Sequence, residues 1–373
     1  MTHNTDFLPD WLSPPGNTLN DYLIEKNISK SDLTNYLNMS NENIEKLLAG
    51  ELTITPSTAK LLEDFSGISK TFWIQRETQY RSDIERINKK HELEVQWLNN
   101  LPFSDMVKFK WVKNQRNTKA ILKECLNYFD VSSVDEWFDK YNELIYNTQF
   151  KMSSSFDTNI YSVITWLRQG VIKSGNFDLE NWNSKKFKKT LFEVRKLTRV
   201  KDPNIFLPLI KEQFSNCGVC FIVSPIPKKC HASGATFFLN PQKAIMIMSF
   251  RHKTDDHFWF SLFHEAAHLL LHGKQELIIE INKESISEIN ISEKEANDFS
   301  MNILIPDKYK AEFMNLNTKN WREIVRFAKK IDVSAGILVG QLQHLGLIKH
   351  SHYNKLKTRY ENKSIFIEQL SSI

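Results

Sequence analysis

Three residues in the stretch FWFSLFHEAAHLLLHG (258–273) have the types and spacing for hydrolytic metal chemistry: His264, Glu265 and His268. On a helix, His264 and His268 sit one turn apart on a shared face, so both imidazoles can grip one divalent ion. Glu265 lies about 100° round the same helix. From there it reaches a water on that ion without displacing it. Two nitrogens to hold Zn2+ and a carboxylate to move a proton are the parts that hydrolysis by an activated water requires. The surroundings sharpen this reading. Phe258, Phe260, Leu262, Phe263, Leu269, Leu270 and Leu271 are all apolar, and ionisable groups inside such a run are costly unless paired, hydrogen-bonded or bound to a metal.

A zinc peptidase site takes a third protein ligand and keeps one position for water. His272 continues the stripe, but it is eight residues from His264, about 12 Å along a helix axis, too far to share the ion. It is expected to cap the helix before Gly273 or to line the cleft. Leu271 and Lys274 occupy the positions that a glycine-broken return to a later histidine would need. The better candidates are Glu293 and Glu295 in ISEKEANDFSMNILIP (291–306). Glu293 shares a helix face with Asn297, which offers a carboxylate ligand beside an amide able to orient a ligand histidine. Glu295 shares its face with Phe299, a pattern that suits packing. Glu293 is therefore the preferred third ligand and Glu295 the alternative. Candidates for steadying an oxyanion are His231, His252, His257 and Tyr309, with no feature choosing among them.

The elements that must position these groups follow from the pattern around them. CGVCFIVSPIP, GATFFL and KAIMIMSF are three short β-prone runs separated by Pro, Gly and Asn. The histidine-bearing helix comes next, then a second helix stopped by Pro306, and helical segments finish the chain. Cys217 and Cys220 form a CxxC followed by Cys230 and His231, a possible zinc cluster, but they read better as small hydrophobes on a buried strand. Residues 86–202 are mostly helical by pattern. SKKFKKTLFEVRKLTRVK (184–201) places Phe187, Leu191 and Val194 on one stripe with lysines and arginines elsewhere, a basic amphipathic helix. Nearer the N-terminus, KSDLTNYL and NENIEKLLAG are short helices joined by a tight turn, the second opened by Ser40 as its cap and ended by Gly50. That is a helix-turn-helix pattern.

Composition bounds these readings. The 373 residues exceed one ordinary core, so two or three domains are expected. A hydrophobic content of 41% with 25% charged residues is that of a globular protein. No run reaches the roughly 18 apolar residues of a membrane span, and the N-terminus lacks a basic-then-apolar leader, so a cytoplasmic location without membrane partners is expected. The net charge of +5 is uneven: residues 1–85 carry 7 Lys+Arg against 13 Asp+Glu, whereas 86–202 carry 21 against 14. The acidic N-terminal segment opposes strong attraction to nucleic acid.

SKSDLTNYLNMSNENIEKLLAGELTITPSTAKLLEDFSGISKTFWIQRETQY resembles the XRE-type helix-turn-helix of HigA-like antitoxins. The resemblance implies a recognition helix near 40–48 that turns Ser40, Asn41, Asn43 and Lys46 to a major groove. FWFSLFHEAAHLLLHG with the following EKEANDFSMNILIP resembles the ImmA/IrrE family of zinc metallopeptidases, and AGILVGQLQHLGLI fits its longer members. By that resemblance His264 and His268 are zinc ligands, Glu265 is the catalytic glutamate, and the acidic ligand comes from EKEAN. Two positions depart from the family pattern: Ala267 stands where Gly is usual, and Ser300 where Ala is usual. Neither removes a chemical group.

Together these features predict an α+β chain, mostly α. An all-α helix-turn-helix domain spans 1–85, a helical region 86–202, and a zincin-like metallopeptidase domain with a small sheet 203–373. The expected function is zinc-dependent cleavage of a regulatory protein, a repressor or antitoxin, by a zinc-bound water with Glu265 as general base. The alternative is a DNA-binding regulator whose peptidase half senses or stabilises. Expected partners are the protein substrate, operator DNA through the helix-turn-helix, and a second copy in a homodimer.

Overall fold

The computed structural model describes residues 11–152, 158–273, 278–281 and 291–360. The chain divides into two compact units, Met1–Trp97 and Leu98–Ile373. The first residues read for a leader, and the end of the chain read as helical, fall on 1–10 and 361–373, outside the described residues.

The first unit is helical: α1 (Pro15–Glu25), α2 (Lys30–Leu37), α3 (Asn41–Leu48), α4 (Pro56–Ser66) and α5 (Lys70–Asn100). Its helix starts are written locally. Ser29 and Asp32 form a reciprocal capping box on α2, the Ser40 hydroxyl accepts from the Asn43 N–H, and Thr55 caps α4 just before Pro56. Asn38, with φ 51°, makes the left-handed turn between α2 and α3. One apolar residue per turn from each helix then meets in a core of Leu23, Leu33, Ile44, Leu47, Leu62 and Trp73. Helix α5 contains neither Gly nor Pro, so nothing in it stops the helix at residue 85, and it runs on to Asn100.

The second unit opens with α6 (Phe103–Lys108), α7 (Thr118–Phe129), α8 (Val134–Met152), α9 (Ile160–Ser174), α10 (Ser184–Lys196) and α11 (Pro203–Ser215). Then follow β1 (Val219–Val223), β2 (Ala232–Asn240), β3 (Lys243–Met248), α12 (Asp255–Ala267), β4 (Ile278–Ile281), α13 (Ile291–Leu304), α14 (Lys310–Met314), α15 (Trp321–Ile331) and α16 (Ala335–His344). The strands form one sheet in the order β1-β3-β2-β4, with β1 parallel to β3 and β2 antiparallel to both neighbours. β4 adds a strand to the three runs expected from the sequence. The chain is thus mostly helical with a small sheet, an α+β architecture. Among the described residues no helix is long and apolar enough to cross a membrane.

Helix α12 packs on β2 and between α13 and α16. Eleven of its thirteen residues are buried, which explains why its sequence lacks a polar face. Trp259, Leu262, Phe263 and Ala266 enter the core with Phe221, Met246, Ile303 and Leu338. Arg195 on α10 ties the far ends of two other helices. Its guanidinium donates to the carbonyls of Ile303 (2.7 Å), Leu304 (3.2 Å) and Ile331, the last carbonyls of α13 and α15, where a cation complements the helix dipole. The rest of the basic face of α10, including Lys185, Lys188 and Lys189, is exposed.

The start of α12 is anchored by two buried acids. Asp255 accepts from the Ser334 hydroxyl (2.6 Å) and from the backbone N–H groups of Asp256 and Thr358 (both 3.0 Å). Asp256 pairs with Lys357 at 2.6 Å. Burial lifts the Asp255 carboxyl from 3.8 to about 6 despite these hydrogen bonds. Folding therefore favours the protonated acid. This residue's contribution to stability is fully present below about pH 4 and declines as pH rises through 6, by at most about 3 kcal/mol. Asp255→Asn keeps the hydrogen-bonded shape without the charge. Urea denaturation at pH 4.5 and 7 is expected to show less loss of stability across that interval in the variant; an identical pH slope in both proteins contradicts the assignment.

Candidate metal centre

His264 and His268 lie on successive turns at the end of α12, each 2% exposed, with their Nε2 atoms 3.0 Å apart. Helix α13 crosses α12 and brings Glu293 to the same point: its Oε2 is 3.5 Å from His264 Nε2 and its Oε1 3.7 Å from His268 Nε2. Small residues let the helices approach. Ala296 is fully buried, and Ser300 donates its hydroxyl to the Phe260 carbonyl at 3.0 Å, so its extra oxygen serves as a cross-link.

Among the described residues, His264, His268 and Glu293 are the group whose donor atoms could hold a metal, all within 4.8 Å of one another. Ligands on a tetrahedral ion with bonds of 2.0–2.1 Å stand about 3.3 Å apart, and the three separations bracket that value. The hydrogen positions also suit an ion. The Asn297 amide oxygen lies 3.0 Å from His264 Nδ1. An amide oxygen only accepts, so Nδ1 carries the hydrogen and Nε2 keeps its lone pair for the cluster. The donor set fits a divalent cation such as zinc.

Glu265 is fully buried beside this group. Its Oε2 accepts from the Thr236 hydroxyl on β2 at 2.8 Å. Gly234, two residues earlier, makes room for it, since a Cβ there would lie 2.6 Å from Glu265 Cγ. A β-bulge between Ala232 and Gly234 adjusts β2 at this point.

His272 lies in the last turn before Gly273, where its ring meets His268 and Glu295. A π-helical turn, His268–His272, follows α12 and ends at Gly273, whose φ of 68° suits glycine. This turn sets His272 Nδ1 3.0 Å from His268 Nδ1, and its Nε2 3.0 Å from Glu295 Oε2. Glu295, read as a packing position or alternative ligand, instead stands behind the histidines. The i, i+4 spacing of His268 and His272 is the signal in the sequence for their contact.

The four oxyanion candidates each have a polar or ring neighbour. His231 Nδ1 is 3.1 Å from the Thr158 hydroxyl, and Tyr309 packs against Phe327. His252 and His257 stack at 4.2 Å. Burial holds His257 below its ordinary range; burial and then His257 bring His252 down to about 4. The four cysteines are free and buried; burial raises the thiols of Cys220 and Cys230 to about 12. In the first unit, Ser40, Asn41, Asn43 and Lys46 are exposed at and beyond the start of α3. The Ser40 hydroxyl serves the helix cap, Asn41 Oδ1 accepts from the Thr34 hydroxyl at 3.2 Å, and Lys46 pairs with Glu42 at 2.6 Å.

No curated protein matches the chain. Residues 231–342, from the start of β2 into α16, match the family model of the IrrE N-terminal-like domain, Peptidase_M78, a likeness that points to a metallopeptidase-type function for this part of the chain.

Proposed function

We propose that the chain is a zinc-dependent endopeptidase that cleaves a regulatory protein of the repressor or antitoxin kind. The observation carrying this reading is the convergence of His264, His268 and Glu293, with the buried Glu265 next to His264 in the chain. His264, His268 and Glu293 hold the ion, and Asn297 orients His264. When bound, zinc lowers the pKa of a water toward about 7 and polarises the scissile carbonyl. Glu265 takes the proton of the attacking water and returns it to the leaving amine. The Thr236 hydroxyl keeps Glu265 aimed, and the contact with Gly234 limits its rotamers. Zinc analysis with cleavage assays on the wild type and Glu265→Gln tests the reading.

A second reading, a DNA-binding regulator with the peptidase half as sensor or scaffold, draws on the exposed Asn41 and Asn43 of α3. It requires Lys46 to leave Glu42 for a phosphate. It predicts specific binding to DNA upstream of the protein's own coding region, weakening steeply as salt rises. Electrophoretic shift assays from low to physiological salt check this, and salt-insensitive association would exclude it. The same unit can instead dock the protein substrate or a second copy.

A further inference from the structure

We infer that His272 and Glu295 are positioning residues that hold His268 in the tautomer able to bind the metal, a role that rests on the metallopeptidase reading. The three groups form a line. Glu295 Oε2 lies 3.0 Å from His272 Nε2, and His272 Nδ1 lies 3.0 Å from His268 Nδ1. A carboxylate only accepts, so it selects the His272 ring with hydrogen on Nε2. The Nδ1 of that neutral ring is then an acceptor. His268 must supply the hydrogen between the two Nδ1 atoms, which leaves its Nε2 lone pair directed at the cluster with His264 and Glu293. Reversing the line would put a hydrogen on His268 Nε2, where the ion has to bind.

Asn297 does the same for His264 through a direct amide contact. The two histidines thus receive equivalent support by different routes, one a single hydrogen bond and the other a two-step relay. The His272 side chain is 16% exposed and Glu295 56% exposed, so solvent screens the outer pair. The effect is on hydrogen placement and ring orientation rather than on overall stability. The π-helical turn has a function in this arrangement: it carries His272 beneath His268, and such turns recur at functional sites.

The test uses the full chain with zinc as the probe. Competition with a chromogenic chelator measures affinity, and 15N NMR of the imidazoles reads which nitrogen of His268 carries the hydrogen. His272→Phe and Glu295→Ala are each expected to weaken zinc binding by about 10–100-fold, with unchanged circular dichroism. Glu295→Gln, whose amide oxygen still accepts from His272 Nε2, is expected to recover most of the affinity lost in Glu295→Ala. Glu295 is exposed, so Glu295→Ala reports even where His272→Phe disturbs folding. Wild-type affinity in Glu295→Ala, or a His268 hydrogen on Nε2 in the zinc-loaded wild type, overturns the inference alone. A wild type with no affinity for zinc overturns it together with the metallopeptidase reading.

Discussion

Glu265→Gln is expected to bind zinc as the wild type does and to cleave the proposed regulatory substrate about 10²–10⁴-fold more slowly, the usual contribution of a positioned acid–base group. The amide matches the carboxylate in volume, so it fits against Gly234, and its oxygen can still accept from the Thr236 hydroxyl seen 2.8 Å from Glu265. What it lacks is the capacity to take a proton. Elemental analysis of the purified variant and cleavage kinetics on a regulator encoded beside the chain give the two numbers needed. Cleavage at the wild-type rate would end the mechanism. Loss of zinc would instead move Glu265 among the ligands.

Glu293→Gln is expected to have the opposite signature, with metal lost first and activity falling as a consequence. Both carboxylate oxygens of Glu293 face the imidazole pair, at 3.5 and 3.7 Å. An amide there removes the negative charge and offers the ion a weaker donor. The fall in affinity should exceed the roughly 10–100-fold that follows removal of an outer partner, so Glu293→Gln and Glu295→Ala separate in one chelator titration. A Glu293→Gln protein with full zinc occupancy would remove Glu293 from the ligand set. Equal losses at 293 and 295 would leave the preference between them without support.

Much of this geometry was legible because the informative residues violate their local pattern. His264, Glu265 and His268 are ionisable groups in an apolar run, and burial without a purpose would be costly. Glu293 could be singled out because Asn297 lies one turn on, a spacing that needs only helical geometry. His272 and Glu295 could not be read this way. Their meeting depends on a π-helical turn and on the placement of α13 against it, neither of which an α-helical projection contains. The fourth strand escaped for a related reason: IIEI is too short to announce itself and becomes a strand by pairing with β2. In the first unit the short helices and their caps were written in Ser29, Ser40 and Pro56. The pairing of Lys46 with Glu42 is what the structure adds there.

The stretch that matches a known domain begins at His231, yet two of its supports come from earlier in the chain. Arg195 satisfies carbonyls at the ends of α13 and α15, and β1 covers the outer edge of β3. A fragment cut at 231 would leave those carbonyls bare and that edge open to pairing with other chains. A piece that keeps both supports therefore starts upstream of Ser184, and excision at 231 is expected to give a protein that aggregates, which size-exclusion chromatography of the two fragments checks.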